Sequence, residues 1–299
     1  MNSTLEPTVL VDTDWGDDID DAVSVALAAR AVDRLAIVTA DETGDHRARG
    51  VAEQLRRMDR PDVPVIRGID IGGRARRRSS MGLATLPRSA DPEVIEALTE
   101  LCETSSELIW IGQGPMTNLA RFVTERPDHC EKIRLTQMGG WLTRYRDPSR
   151  ASHNLRIAPR AAGLALRTCS RPRLVLSEHT ESPAIRITAE SEFYRRLTEP
   201  YAPDWAKLLA DGFDEWFAYR ATQTQTAADQ AGGVGSWLHD PLALSAALGL
   251  GFVNFEVERI RVAADARIYR DPAGREMEVS TGADYEAFSD WAMTTLFAS

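Results

Sequence analysis

The sequence predicts an α/β fold, an open, doubly wound, mostly parallel sheet with helices on both faces. Short apolar runs of strand length alternate with stretches of helical pattern, as parallel pairing through crossover helices requires. Several of those runs end in glycine or in acidic residues, so polar groups collect at one end of the strands. The hydrophobic share, 43% of 299 residues, is enough for a sizeable core.

The elements follow in order. Thr8-Val9-Leu10-Val11 reads as a buried strand, and residues 22–30 as a largely apolar helix. A second strand spans 35–40 and ends in the polar loop Asp41-Glu42-Thr43-Gly44-Asp45. Residues 46–58 then read as a helix, with Val51, Leu55 and Met58 among arginines. Val63–Ile66, Leu108–Gly112, 133–140 and Leu174–Leu176 supply further strands. Ile260–Val262 and Arg267–Tyr269, followed by Asp271-Pro272-Ala273-Gly274, read as a late strand and hairpin appended to the sheet. With no Ser/Gly linker and no low-complexity segment, residues 1–299 are expected to form a single domain.

Composition excludes several classes. A net charge of −10 argues against general nucleic-acid binding, which needs a basic face. No apolar run approaches the ~20 residues of a membrane span. Residues 1–7 lack the basic and apolar regions of a secretory signal. Cys102, Cys130 and Cys169 lack metal-ligand spacing and are expected to be reduced and buried, in a cytoplasmic protein.

The chemistry concentrates in Asp12-Thr13-Asp14-Trp15-Gly16-Asp17-Asp18-Ile19-Asp20-Asp21, six aspartates within ten residues. They lie on a strand-to-helix turn, the edge of an open sheet where ligands bind. Like charges at this density call for a counter-ion, and an all-oxygen set suits Ca²⁺ or Mg²⁺. The competing reading is a solvated acidic loop with one aspartate capping the helix. Gly112-Gln113-Gly114-Pro115 would let the backbone approach a ligand closely and offer a free carbonyl. His239-Asp240-Pro241 opens a second apolar helix, where Asp240 is either an N-cap or a ligand and acid beside His239.

These segments together resemble the inosine-uridine-preferring nucleoside hydrolases, Ca²⁺-dependent N-ribohydrolases. Asp12-Thr13-Asp14-Trp15-Gly16 begins the family's Asp-x-Asp-Pro-Gly-x-Asp-Asp, with two extra residues before Asp20-Asp21. Gly114-Pro115-Met116-Thr117-Asn118-Leu119-Ala120, Met138-Gly139-Gly140 and His239-Asp240-Pro241-Leu242-Ala243 match its later landmarks in order. The resemblance implies Ca²⁺ held by Asp14, Asp21, Asp240 and the carbonyl of Gln113, with Asp18 a rival ligand because of the insertion. It implies Asp14 as the base that takes a proton from water, Asp20 on ribose hydroxyls and His239 protonating the leaving base. Trp15, which replaces proline, either packs against the turn or reshapes the pocket.

The departures concern the substrate. Ser152-His153-Asn154 stands where the family has Glu-Phe-Asn, so Asn154 is retained and a carboxylate for the sugar's 5′-hydroxyl is lost. Ser152, His153 and Asn154 are carried as substrate contacts. So is Asp45, although which residue of its loop replaces the family's Gly-Asn stays open. Arg74, Arg76, Arg77 and Arg78 form a basic cluster that would suit a phosphate, against the plainer reading of a solvated loop. The expected activity is hydrolysis of a ribonucleoside to ribose and free base, in nucleoside salvage. The alternatives are a hydrolase of a modified or 5′-phosphorylated ribosyl compound and a non-catalytic ribose- and metal-binding protein. A small nucleoside-like molecule is the expected partner, with no nucleic acid, no membrane, and a homo-oligomer left open.

Overall fold

Leu10, Ala36 and Trp110 face one side of a central sheet, and Val11, Ile37 and Ile111 face the other, as the two-residue period of a strand dictates. A strand buried on both faces needs apolar residues at every position, which is why these runs read as continuous rather than alternating. The computed structural model describes residues 5–72, 93–223 and 234–298.

The parallel strands are β1 (Thr8–Thr13), β2 (Leu35–Thr39), β3 (Val65–Ile66), β4 (Leu108–Gly112), β5 (Ile133–Met138) and β6 (Arg173–Val175). A two-stranded sheet stands apart, β7 (Arg186–Ile187) with β8 (Ser236–Trp237). Three late strands, β9 (Val253–Val262), β10 (Ile268–Arg270) and β11 (Arg275–Ala283), extend the main sheet. Its order is β10-β9-β11-β6-β5-β4-β1-β2-β3. From β3 to β11 every pairing is parallel, whereas β11–β9 and β9–β10 are antiparallel.

The chain therefore leaves β1 toward β2 and β3, then returns to build outward from β4. The switch point lies between β1 and β4, whose register pairs Asp12 with Gly112. A crevice at the carboxyl ends of such strands is where open α/β sheets bind ligands.

Helices pack on both faces. On one lie α1 (Asp20–Ala31), α2 (His46–Arg57) and the later α10 (His239–Ala247) and α11 (Tyr285–Phe297). On the other lie α3 (Val94–Glu103), α4 (Thr117–Glu125) and α6 (Pro159–Thr168). Helix α1 is buried from Asp20 to Ala29, which explains a sequence apolar all round rather than on one stripe. Between β5 and α6 lies α5 (His153–Ile157). Between β6 and β8 come α7 (Ser177–Thr180), α8 (Glu192–Leu197) and α9 (Asp204–Gln223).

The fold class matches the sequence reading, with shifts at the edges. Strand β1 runs on through Asp12 and Thr13, because the Asp12 carboxylate finds donors inside the protein. The late hairpin is β9–β10, but a third strand, β11, inserts between β9 and β6. Its alternation of Glu276 and Glu278 with buried Met277 and Val279 marks a half-buried strand. All three cysteines are free; Cys102 and Cys169 are buried as expected, whereas Cys130 is half-buried. No described helix is long and apolar enough to cross a membrane.

Candidate active site

The site forms where β1 and β4 end and α1 and α10 begin. The carboxylates of Asp20, Asp21 and Asp240 converge, with an oxygen from each within 4.8 Å of the others. All three residues are buried. Asp20 and Asp21 come from the first turn of α1, and Asp240 from the first turn of α10, so helix N-termini help to tolerate the charge. The backbone N–H of Asp240 donates to Asp20 Oδ2 at 3.2 Å, stitching the two segments together. The Thr13 hydroxyl donates to Asp21 Oδ1. Asp240 Oδ1 is buried with no hydrogen-bond partner among the described residues.

Burial, with the mutual repulsion of neighbouring aspartates, raises the pKa of Asp20, Asp21 and Asp240 well above the carboxylate range. The charge of Asp14 contributes to all three shifts. Asp12 is pushed up to about 7 by burial, although Asn118 and Trp110 donate to it at 2.8 and 3.2 Å. Such a group suits a hard cation: all its donors are oxygens, and one of them is unpartnered among the described residues.

The remaining expected site residues take distinct places. Asp14 is buried at the end of β1, and a Cβ added to Gly114 would stand 3.0 Å from its Oδ1. Glycine at 114 thus leaves room for that carboxylate. Asp18 lies outside the three-carboxylate group; its Oδ1 accepts from Ser236 Oγ at 2.6 Å and from the Ile19 N–H at 2.7 Å. The Gln113 carbonyl accepts from Asn154 Nδ2 at 2.8 Å, while its side chain donates to Ser24 Oγ and to the Asp240 carbonyl. Asn154 is therefore tied to the rim of the site. Ser152 is buried and its hydroxyl accepts from the Gly140 N–H at 2.7 Å, bracing the Gly139-Gly140 turn. His153 is exposed and its Nδ1 lies 3.2 Å from Arg156. Asp45 is half-buried, 3.7 Å from Arg49 and at the start of α2.

His239 is half-buried, and Thr180 Oγ1 lies 2.7 Å from its Nδ1. Its pKa is pushed down to about 3 by desolvation and, secondarily, by the charge of Arg146. The ring is thus a neutral imidazole near neutral pH. Trp15 is fully buried in the core, donating through Nε1 to Gln54 at 2.8 Å, and so packs away from the opening. A Cβ on Gly50 would come within 2.1 Å of that ring. The cluster Arg74, Arg76, Arg77 and Arg78 lies outside the described residues.

Sequence reasoning passed over three residues. Glu42 accepts from Thr39 Oγ1 and from the N–H groups of Thr43, Arg47 and Ala48, all within 3.0 Å, and so caps α2. Asn118 bridges Asp12 and the Thr39 carbonyl. Arg47, buried at the start of α2, bonds to the loops after both β1 and β2. It could have been found: Arg47, Val51 and Leu55 share one helical face, and an arginine on an apolar stripe needs a buried partner.

Comparison with known proteins shows what the chain is similar to along most of its length. The sequence profile described as inosine-uridine preferring nucleoside hydrolase matches residues 9–290. The pyrimidine-specific ribonucleoside hydrolase RihA of Escherichia coli O81 is 24% identical over 253 residues, 79% of this chain and 78% of that protein. A plant nucleoside hydrolase, PpNRh1, superposes with a TM-score of 0.80 at 19% identity, covering 99% of this chain and 100% of that one. A purine-preferring ribonucleoside hydrolase from Gardnerella vaginalis superposes with a TM-score of 0.74 at 20% identity, covering 97% and 98%.

Proposed function

The chain belongs to the inosine-uridine preferring nucleoside hydrolase family, enzymes that cleave the N-glycosidic bond of ribonucleosides, and from that premise we propose how its residues divide the work. Asp21, Asp240, Asp14 and the Gln113 carbonyl hold a divalent cation, with Ca²⁺ the best fit. An irregular set of carboxylates and a main-chain carbonyl suits the flexible coordination of Ca²⁺ better than the strict octahedron of Mg²⁺. The observation that supports this most is the convergence of Asp20, Asp21 and Asp240, two of which belong to this ligand set, with Asp240 Oδ1 unpartnered among the described residues. When bound, the cation supplies a Lewis-acidic centre that makes water easier to deprotonate.

The chain's own groups do the rest. The Asp14 carboxylate removes a proton from the attacking water, which adds to C1′ of the ribose as the bond to the base breaks. Asp20, with Oδ2 engaged by the Asp240 N–H, offers its other oxygen to ribose hydroxyls. Asn154, held by the Gln113 carbonyl, orients the sugar. His239, its ring anchored at Thr180 and neutral near pH 7, donates a hydrogen bond to the departing base in place of the full proton transfer that the resemblance implies.

The test is ribose release from a panel of purine and pyrimidine nucleosides, with Ca²⁺ present, after exhaustive chelation, and after Ca²⁺ is restored. Activity lost and regained supports the assignment. Undiminished turnover of the chelated protein would overturn the metal's part in it.

A further inference from the structure

We infer that Arg47 is a positioning residue for the cation site, a resident cation that holds the aspartate turn in ligand geometry. The inference rests on the reading that this site binds Ca²⁺. The Arg47 side chain is 3% exposed. Its Nε donates to the Asp41 carbonyl at 2.9 Å, and its Nη1 to the carbonyls of Asp14 and Trp15, the latter at 2.6 Å. Its Nη2 reaches Asp17 Oδ2 at 3.4 Å and lies 3.8 Å from Asp41 Oδ2. One planar group therefore fixes the backbone of a candidate ligand, Asp14, and joins the loop after β1 to the loop after β2. Only a guanidinium offers five donors in one rigid fork.

The turn is pinned from its other end as well. Asp18 bonds to Ser236, four residues before Asp240, so the two segments that supply the carboxylates are tied together. Asp17 and Asp18 thus bond to partners outside the three-carboxylate group, although the charge of Asp18 still bears on Asp20 and Asp240, and the turn closes between two fixed points.

A cation placed here has two opposing effects on a metal ion. Its charge repels the ion, so Coulomb's law alone predicts that removing it tightens binding. Its hydrogen bonds set the ligands in place beforehand, so removal weakens binding. The buried fork and its carbonyl contacts point to the second effect as the larger. Outer groups that orient metal ligands typically change affinity by ~10–100-fold when lost.

The experiment titrates Ca²⁺ calorimetrically into wild type, Arg47→Lys, Arg47→Met and Asp17→Asn. Thermal melting of each with Ca²⁺ and with chelator is the second readout. Lysine keeps the charge but cannot reproduce the fork. The expected result is Ca²⁺ binding weakened about tenfold or more in Arg47→Lys and Arg47→Met, a smaller weakening in Asp17→Asn, and a smaller Ca²⁺-induced rise in melting temperature. Unchanged or tighter binding in Arg47→Lys, with melting lowered equally in both states, would make Arg47 a structural brace and overturn the inference. Should the Arg47 variants not fold, Asp17→Asn decides by the same criterion. A wild type that binds no Ca²⁺ would overturn the site assignment itself, a result distinct from binding that the variants leave unchanged.

Discussion

Glu53 on α2 and the aspartates of the cleft are withdrawn from water to a similar degree, 6% exposed for Glu53 against 3–4% for Asp20, Asp21 and Asp240. Their proton affinities nevertheless move in opposite directions. Glu53 receives Arg56 and Arg57, each at 2.7 Å, and its pKa falls from 4.5 to about 2. The cleft carboxylates have each other for company and rise. Glu53 is covered chiefly by two arginines that themselves reach the surface, whereas burial is the largest cause of the rise in the cleft, so depth and partners together set the sign. Around its periphery the chain gives acids an arginine: Glu276 has Arg259, Glu258 has Arg270 and Asp271 has Arg261. At the switch point it supplies Arg47, and under the proposed function a bound cation offsets the remaining imbalance. An unpaired cluster of buried charge destabilises the fold, and its place at the strand ends ties that cost to function.

The largest effect expected from this contrast is on chemistry. Asp14→Asn keeps the shape and an oxygen donor but removes the proton acceptor. At saturating Ca²⁺ it should lower kcat for ribose release by ~10²–10⁴-fold, with the melting temperature in chelator held. Steady-state assay of the purified variant checks this; near-normal turnover would move the base to another carboxylate.

Metal removal comes next. Ca²⁺ at a hundred times its Kd should stabilise the protein by about 2.7 kcal/mol through mass action. Asp240→Ala should abolish that gain. It also deletes one of the mutually repelling carboxylates, so the chelated variant should melt no lower than chelated wild type. Scanning calorimetry with and without chelator separates the two statements. A Ca²⁺-dependent gain that survives in Asp240→Ala would break the comparison at its centre.

Much of this was legible in the sequence for a physical reason. Asp12 to Asp21 is contiguous, so its charge density shows in one dimension, and the strands of a buried parallel sheet are continuous apolar runs. Asp240 lies more than two hundred residues away; its His-Asp-Pro pattern reads as either a helix cap or a ligand, and the family resemblance places it with Asp21. What stayed hidden was partnership. Nothing local distinguishes Asp17 and Asp18 from Asp20 and Asp21, yet the first pair bonds to Arg47 and Ser236 and the second faces Asp240. Ser152 reads as a lost carboxylate, while the fold shows its hydroxyl holding the Gly140 backbone. Such roles depend on which oxygen meets which hydrogen across the sheet.

Glu53 gives a pH signature. Its folded pKa, about 2, is below the usual 4.5, so its contribution is complete above about pH 4.5 and is lost as pH falls from there toward 2. Glu53→Gln should cost on the order of 1 kcal/mol at pH 7, allowing for screening around the largely exposed Arg56. The gap to wild type should close near pH 2–3. A gap that widens on acidification would mean the carboxylate's charge is not what stabilises.

The smallest effect belongs to the outer strands. Glu276 and Arg259 approach to 3.0 Å, but both side chains are about half exposed, 51% and 56%. Water and salt already solvate each charge well, and two long side chains lose freedom in meeting. The pair should therefore contribute roughly 0–0.5 kcal/mol. Glu276→Gln should leave Ca²⁺ binding unchanged and shift the melting temperature by no more than ~2 °C. That shift should shrink further at 1 M salt, where the screening length falls to ~3 Å. Glu53→Gln, whose carboxylate is buried against its arginines, should keep more of its effect under the same salt. Equal losses from the two substitutions, equally abolished by salt, would mean that distance to an arginine matters and burial does not. That outcome would remove the basis for treating the buried cleft as electrostatically distinct from the surface.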